Sequence, residues 1–251
     1  MTAKQAQAIA VDPAVLMQIA GRTPDAWQAR VLRNRYKRLL LNCSRQAGKS
    51  TVIAALALLE ALFYAPALVL ILSPSQRQSQ ELFRTVMQFR TALGVEINPD
   101  AESLLRVEFS SGSRIVALPG KEQNLRGFAA VSLLIIDEAS RVPDDLYNSV
   151  RPMLATSGGR LAALSTPFGK RGFFHHEWSQ GEGWERIKIT GPECPRIPAE
   201  FLAEEKRKLP DQWYRQEICA SLRIRTTRFS LTRIFKRRSP MRWHRSCSRL
   251  W

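Results

Sequence analysis

The residues best placed to do chemistry are Ser44, Arg45, Gln46, Ala47, Gly48, Lys49, Ser50 and Thr51. An apolar triplet, Leu39-Leu40-Leu41, precedes them, and an apolar run that favours helix, Val52 to Glu60, follows. Strand, tight loop and helix make the setting in which a chain cradles phosphate. Consecutive backbone N–H groups and the positive end of the helix dipole then face the anion. Lys49 would place a point charge near the β- and γ-phosphates, and the Ser50 hydroxyl would ligate Mg²⁺. The fit to G-x-x-x-x-G-K-[ST] is incomplete, because Cys43 stands where the first Gly belongs. Gly-Lys-Ser alone is common, so a plain turn before a core helix is the alternative until a partner is found.

Asp137 and Glu138 are that partner. The four apolar residues before them, Leu133 to Ile136, predict a buried strand with two carboxylates at its C-terminal end. Ligands of open α/β sheets bind at such ends. Asp137 would hold the Mg²⁺ that bridges the phosphates, and Glu138 would orient and deprotonate the attacking water. An isolated Asp-Glu is an ordinary polar turn. The same pair about 90 residues after Gly-Lys-Ser-Thr is far rarer, and the two together read as a nucleotide hydrolase. Ser165-Thr166-Pro167 ends another apolar run, Arg160 to Leu164. A hydroxyl there would lie beside the carboxylate strand, sense the γ-phosphate and move residues 168 to 172; a Ser-Thr turn closing a strand is the simpler alternative. Trp27 and Gln28 stand about 20 residues before the loop, where they can stack on and hydrogen-bond to an adenine edge. The alternative is a short amphipathic helix, with Thr23 as N-cap and Pro24 at its first position.

Several elements must position these residues. Mostly apolar runs at 68–73, 131–136 and 160–165 suit parallel strands buried on both faces. A further strand is predicted at 184–189. Strands at 104–109 and 114–118 flank Ser110-Ser111-Gly112-Ser113 and predict a hairpin. Helices are predicted near 14–20, 75–93, 143–153, 173–178, 199–209 and 212–219. Pro192 to Pro198 reads as a rigid linker. The expected fold class is α/β, a mainly parallel sheet flanked by helices.

The 251 residues are 45% hydrophobic, enough for one large α/β domain or two small ones. No window of about 18 uncharged apolar residues exists, so no membrane span is expected, and the N-terminus has no signal-peptide pattern. Cys43, Cys194, Cys219 and Cys247 are far apart, which points to a reducing, cytoplasmic compartment and to neither a disulfide framework nor zinc. The adjacent His175 and His176 have no ligand-spaced partners. The net charge of +16 suggests a polyanionic partner. Its distribution weakens that inference. Residues 221–251 hold ten of the 38 basic residues and none of the 22 acidic ones, so the body is only mildly basic.

As a set, Trp27-Gln28, Ser44 to Thr51, Leu125-Arg126-Gly127, Leu134 to Ala139 and Leu164 to Pro167 resemble the ATPase domain of phage terminase large subunits. That family often lacks the first Gly of the phosphate loop and carries an Arg inside it, as Arg45 does here. The resemblance spans about residues 10 to 220. It implies a RecA-like P-loop ATPase fold of the additional-strand type. ATP hydrolysis with Mg²⁺ would drive double-stranded DNA, in a ring of copies that works with a portal protein and a small terminase subunit. By position it implies Lys49 on phosphate, Ser50 and Asp137 on Mg²⁺, Glu138 as catalytic carboxylate, Trp27 and Gln28 near adenine, and Ser165 to Pro167 as the coupling motif. Arg45 and Arg126 are both arginine-finger candidates.

Large terminases usually continue into a nuclease whose metal site needs clustered carboxylates, and residues 221–251 contain none. The expectation is an ATPase domain over 1–220, no nuclease domain, and a basic tail that is either an out-of-frame translation or a DNA-binding arm. A superfamily-2 helicase also suits Asp137-Glu138-Ala139, but too little chain follows Pro167 for a second such domain. A remnant that binds nucleotide without coupled work is the third reading.

Overall fold

The computed structural model describes residues 1–97, 102–119 and 127–222. Its strands are β1 (Arg38–Cys43), β2 (Leu68–Ser73), β3 (Glu102–Ser103), β4 (Arg106–Glu108), β5 (Arg114–Pro119), β6 (Leu133–Asp137), β7 (Arg160–Ser165) and β8 (Glu185–Ile189). They form one sheet in the order β3-β4-β5-β2-β6-β7-β1-β8. From β5 to β8 every pairing is parallel, whereas β3, β4 and β5 form an antiparallel edge. Every position of β2, β6 and β7 is buried, which explains why their central residues, 68–72, 133–136 and 161–164, are all apolar: both faces are covered. β7 lies between β1 and β6, so an additional strand separates the phosphate-loop strand from the carboxylate strand.

Alternate strand residues feed two cores. Leu39, Leu41, Val69, Ile71, Ile135 and Leu164 pack under α1 (Ala3–Val11), α2 (Val15–Ile19), α3 (Ala26–Arg33), α4 (Lys49–Phe63) and α5 (Gln76–Ala92). Leu40, Leu70, Leu134, Ile136 and Ala163 face α6 (Asp144–Val150) and α7 (Gly172–Ser179). Two further helices, α8 (Ala199–Lys208) and α9 (Asp211–Glu217), follow β8.

The register levels the chemical ends. Asn42 pairs with Ser165, Asp137 with Leu164, and Cys43 with Ile189. The turns after β1, β6, β7 and β8 therefore leave the sheet at one edge.

Three local expectations are corrected. α3 is capped by Asp25, not Thr23, because Gln28 reaches back in a capping box and accepts the Asp25 N–H at 2.9 Å. The helix expected at 143–153 stops at Val150 and tightens into a 3₁₀ turn at Arg151–Leu154, where Pro152 has no N–H to continue an α-helix. Residues 192–198 are not a spacer. They fold back against the phosphate loop. α1, with its Thr2–Gln5 capping box, has no counterpart in the sequence reading. Arg126 and residues 223–251 lie outside the described residues.

Candidate active site

The loop after β1 is shaped from behind. Gln28 donates to the Gly48 carbonyl at 3.2 Å, Arg196 to the Ala47 carbonyl at 2.7 Å, and the Cys194 thiol to the Gln46 carbonyl at 3.9 Å. In a trans peptide the next N–H points the opposite way. Tying three successive carbonyls to the outer side thus turns the N–H groups of Ala47, Gly48 and Lys49 toward the cleft. Arg196 is itself held by Asp25 at 2.7 Å. Gly48 has φ +85°, and a Cβ there would sit 2.7 Å from Gln28 Nε2 and 2.9 Å from Arg196 Nη2. Only glycine meets both demands.

The cleft in front of this loop has a volume of about 640 Å³. Arg45 to Thr51 form one wall; Glu138, Arg141 and Thr166 stand opposite. Lys49 Nζ lies 3.0 Å from Glu138 Oε1, and both side chains are largely buried. Burial alone would depress the Lys49 pKa, but the attraction of Glu138 and then Asp137 outweighs it and raises the pKa, so Lys49 stays charged. Asp137 is pushed up to about 6 by burial, against the pull of Lys49. Among the described residues its one hydrogen bond comes from the Glu138 N–H at 2.9 Å. Glu138 has φ +48°, a left-handed conformation that non-glycine residues seldom adopt. The buried Asn42 Oδ1, Ser44 Oγ and Ser73 Oγ, all at or just beyond the C-terminal ends of β1 and β2, have no hydrogen-bond partner among the described residues. The site thus leaves several buried polar atoms without partners among the described residues.

A hydroxyl relay joins the two turns of the far wall. Ser140 Oγ lies 2.6 Å from Ser165 Oγ and donates to the Thr166 carbonyl at 2.9 Å, while the Ser140 N–H donates to Ser165 Oγ. Thr166 is buried and reaches the cleft; Ser165 serves Ser140. Beyond them Arg141 and Arg171 lie over the Phe168 ring, at 4.5 and 4.8 Å.

The loop, Lys49, Ser50, Glu138 and Thr166 thus gather at one cleft, with Asp137 beside it. Arg45 lines the cleft too, but its guanidinium is paired with Glu217 and its N–H donates to the Glu217 carbonyl at 3.1 Å. Trp27 and Gln28 stand behind the loop. Trp27 is buried in the core, with Nε1 on Asp25. Gln28 uses its amide oxygen on Asp25 and its nitrogen on Gly48. Neither is presented to the cleft. Sequence reasoning missed Arg196, Glu217, Arg141 and Ser140. The first two are remote in sequence and carry no motif; Ser140 had a local signal, a hydroxyl in the turn that carries both carboxylates.

Comparison with known proteins places this geometry. No curated protein matches the chain at a significant level. The large terminase ATPase domain of Thermus phage P74-26 aligns with TM-score 0.70 at 21% identity, over 82% of this chain and 96% of that one. The HK97 bacteriophage large terminase aligns with TM-score 0.64 at 16% identity, over 79% of this chain and 50% of that one. A thermophilic bacteriophage large terminase in complex with ADP aligns with TM-score 0.62 at 12% identity, over 75% and 48%. At such identities these likenesses establish the fold. The model of the family described as terminase large subunit, T4likevirus-type, N-terminal, matches residues 40–220, which hold the loop, both carboxylates and all of the sheet except the first two residues of β1. With that match over most of its length, the chain belongs to the terminase large-subunit family, in the N-terminal part that carries the phosphate loop.

Proposed function

We propose that the chain hydrolyses Mg²⁺-bound ATP in the cleft between Lys49 and Glu138 and uses the energy to move double-stranded viral DNA during packaging, in the cytoplasm of a bacterial host. The observation that carries this reading is the 3.0 Å Lys49–Glu138 contact across a cleft whose loop carbonyls are tied outward. The N–H groups of residues 47 to 49 receive the phosphates. Lys49 exchanges Glu138 for the β- and γ-phosphate oxygens. Glu138, released from Lys49, accepts a proton from the attacking water.

The Ser50 hydroxyl and the Asp137 carboxylate are hard oxygen donors that suit Mg²⁺. Among the described residues no group of three or more His, Cys, Asp or Glu would hold a metal unaided. This fits an ion that arrives with the phosphates, and Mg²⁺ supplies neutralisation of the charge that develops on them. Thr166 faces the γ-phosphate end, and the Ser140–Ser165 relay carries its movement to the carboxylate turn. Arg45 and Arg126 remain the finger candidates. Replacing the true finger by Ala removes roughly 10³–10⁵ in rate while nucleotide still binds; turnover intact in both single variants overturns the assignment.

Residues 1–220 form the ATPase unit of this reading, with the basic tail beyond it. The partners are double-stranded DNA, a portal protein, a small terminase subunit and further copies of the chain in a ring. No described helix is long and apolar enough to cross a membrane. The test is ATP hydrolysis with and without duplex DNA, beside Glu138→Gln. DNA-stimulated turnover that vanishes in the variant supports the reading. Strand separation would instead indicate a helicase, and nucleotide binding without turnover a remnant.

A further inference from the structure

We infer, resting on the ATP reading, that Arg141 is a positioning residue for the catalytic carboxylate. It holds Glu138 through its second oxygen when Lys49 leaves for the phosphates.

Glu138 faces one cation on each oxygen. Oε1 lies 3.0 Å from Lys49 Nζ, and Oε2 lies 3.8 Å from Arg141 Nε. The two cations part when phosphate arrives. Lys49 opens α4 behind the loop and is drawn to the phosphates. Arg141 belongs to the same turn as Glu138, three residues on, and stays with it. Among the described residues four cations line the cleft: Arg45, Lys49, Arg141 and Arg196. Arg45 is paired with Glu217, and Arg196 with Asp25 and the Ala47 carbonyl. Once Lys49 has moved, Arg141 is the one of the four that still has Glu138 as its carboxylate partner.

Both ends of Arg141 are anchored. Its N–H donates to the Glu138 carbonyl at 2.8 Å and closes the 3₁₀ turn Ala139–Arg141. The preceding Ser140 ties that turn to Ser165 and to the Thr166 carbonyl. At the other end the guanidinium carbon stands 4.5 Å from the centroid of the Phe168 ring. A guanidinium stacked on a ring keeps its in-plane N–H groups for a carboxylate. At 3.8 Å the pair is just outside hydrogen-bond range, so a small closure of the cleft completes the contact. Glu138 needs such a hold. Its φ of +48° is a backbone conformation that persists only where the surroundings over-determine it. A carboxylate that lost both cations would swing away from the water it must deprotonate. The Arg141 side chain is 44% exposed, so truncating it removes little packing.

The test is a double-substitution cycle on kcat, with the Kd of a slowly hydrolysed ATP analogue measured beside it. It uses the full chain as wild type, Arg141→Ala, Arg141→Lys, Glu138→Gln and the double variant of Arg141→Ala with Glu138→Gln. Arg141→Ala should lower kcat roughly ten- to a hundredfold, the scale of a misplaced catalytic group. Its Kd should be unchanged, which also shows that the variant is folded. Arg141→Lys keeps the charge without the planar fork and should fall between Ala and wild type. In the Glu138→Gln background Arg141→Ala should cost nothing further, because the carboxylate it acts through is already gone. A full extra loss in the double variant overturns the inference and makes Arg141 a direct phosphate contact. So does a weakened Kd in Arg141→Ala. Wild-type kcat in Arg141→Ala, beside a low kcat in Glu138→Gln, overturns the inference alone and leaves the ATP reading standing. Wild-type kcat in Glu138→Gln refutes the role of Glu138, and this inference with it.

Discussion

Two buried ion pairs sit at opposite ends of the same sheet and differ in what they leave undone. At the amino ends of the strands Arg160 meets Glu60 at 2.8 Å, with side-chain exposures of 7% and 2%. Arg160 also donates to the Tyr36 carbonyl, and the second Glu60 oxygen takes Arg35 at 3.0 Å. Burial pulls the Arg160 pKa down and Glu60 offsets only part of that, yet each charge is enclosed by partners. At the carboxyl ends Lys49 meets Glu138, but among the described residues Asp137 keeps one neighbouring N–H and three buried polar atoms at the ends of β1 and β2 have no partner. One end is chemically complete and carries structure. The other leaves buried polar atoms open to a ligand.

Substitutions at the two ends should separate the roles. Glu138→Gln should cost about 10²–10⁴ in turnover, with little change in unfolding, because the pair it breaks is one that ligand must open anyway. Denaturant melts measured beside steady-state ATPase assays check both halves; a large stability loss would make the two ends alike. Glu60→Ala should do the reverse. It strands Arg160 in the interior and costs about 3–5 kcal/mol of stability, with per-molecule ATP affinity intact in the folded fraction. Gly48→Ala should cost roughly 1–2 kcal/mol for its left-handed backbone and displace Gln28 and Arg196 as well. Nucleotide affinity should fall with it, and calorimetric titration reads the loss. The smallest effect is at Cys43, whose thiol burial pushes up to about 12. It stays protonated at pH 8 and should resist alkylation while the partly exposed Cys219 reacts, as peptide mass mapping would show.

The incomplete end was the more legible in the sequence. Lys49, Ser50, Asp137 and Glu138 announce themselves because phosphate chemistry needs fixed residue types at the ends of apolar runs, and those runs are local. β2 and β7 were likewise readable, since the middle of a strand buried on both faces must be apolar. Arg196 and Glu217 were not. They lie about 150 and 170 residues beyond the loop, and nothing local distinguishes an arginine that braces a carbonyl from one in water. Trp27-Gln28 shows the opposite limit. The pair was visible, but its direction depended on the Asp25 capping box and on the Gly48 carbonyl, which only the packed α3 reveals.

The most direct test of the contrast is thermal unfolding with and without a slowly hydrolysed ATP analogue and Mg²⁺. At a ligand concentration near 100 times its Kd, the wild type should gain about 2.7 kcal/mol. Glu60→Ala should start lower and gain the same amount. Lys49→Ala should gain nothing. A full gain in Lys49→Ala would contradict the account, because the incomplete end would then not be where the nucleotide binds.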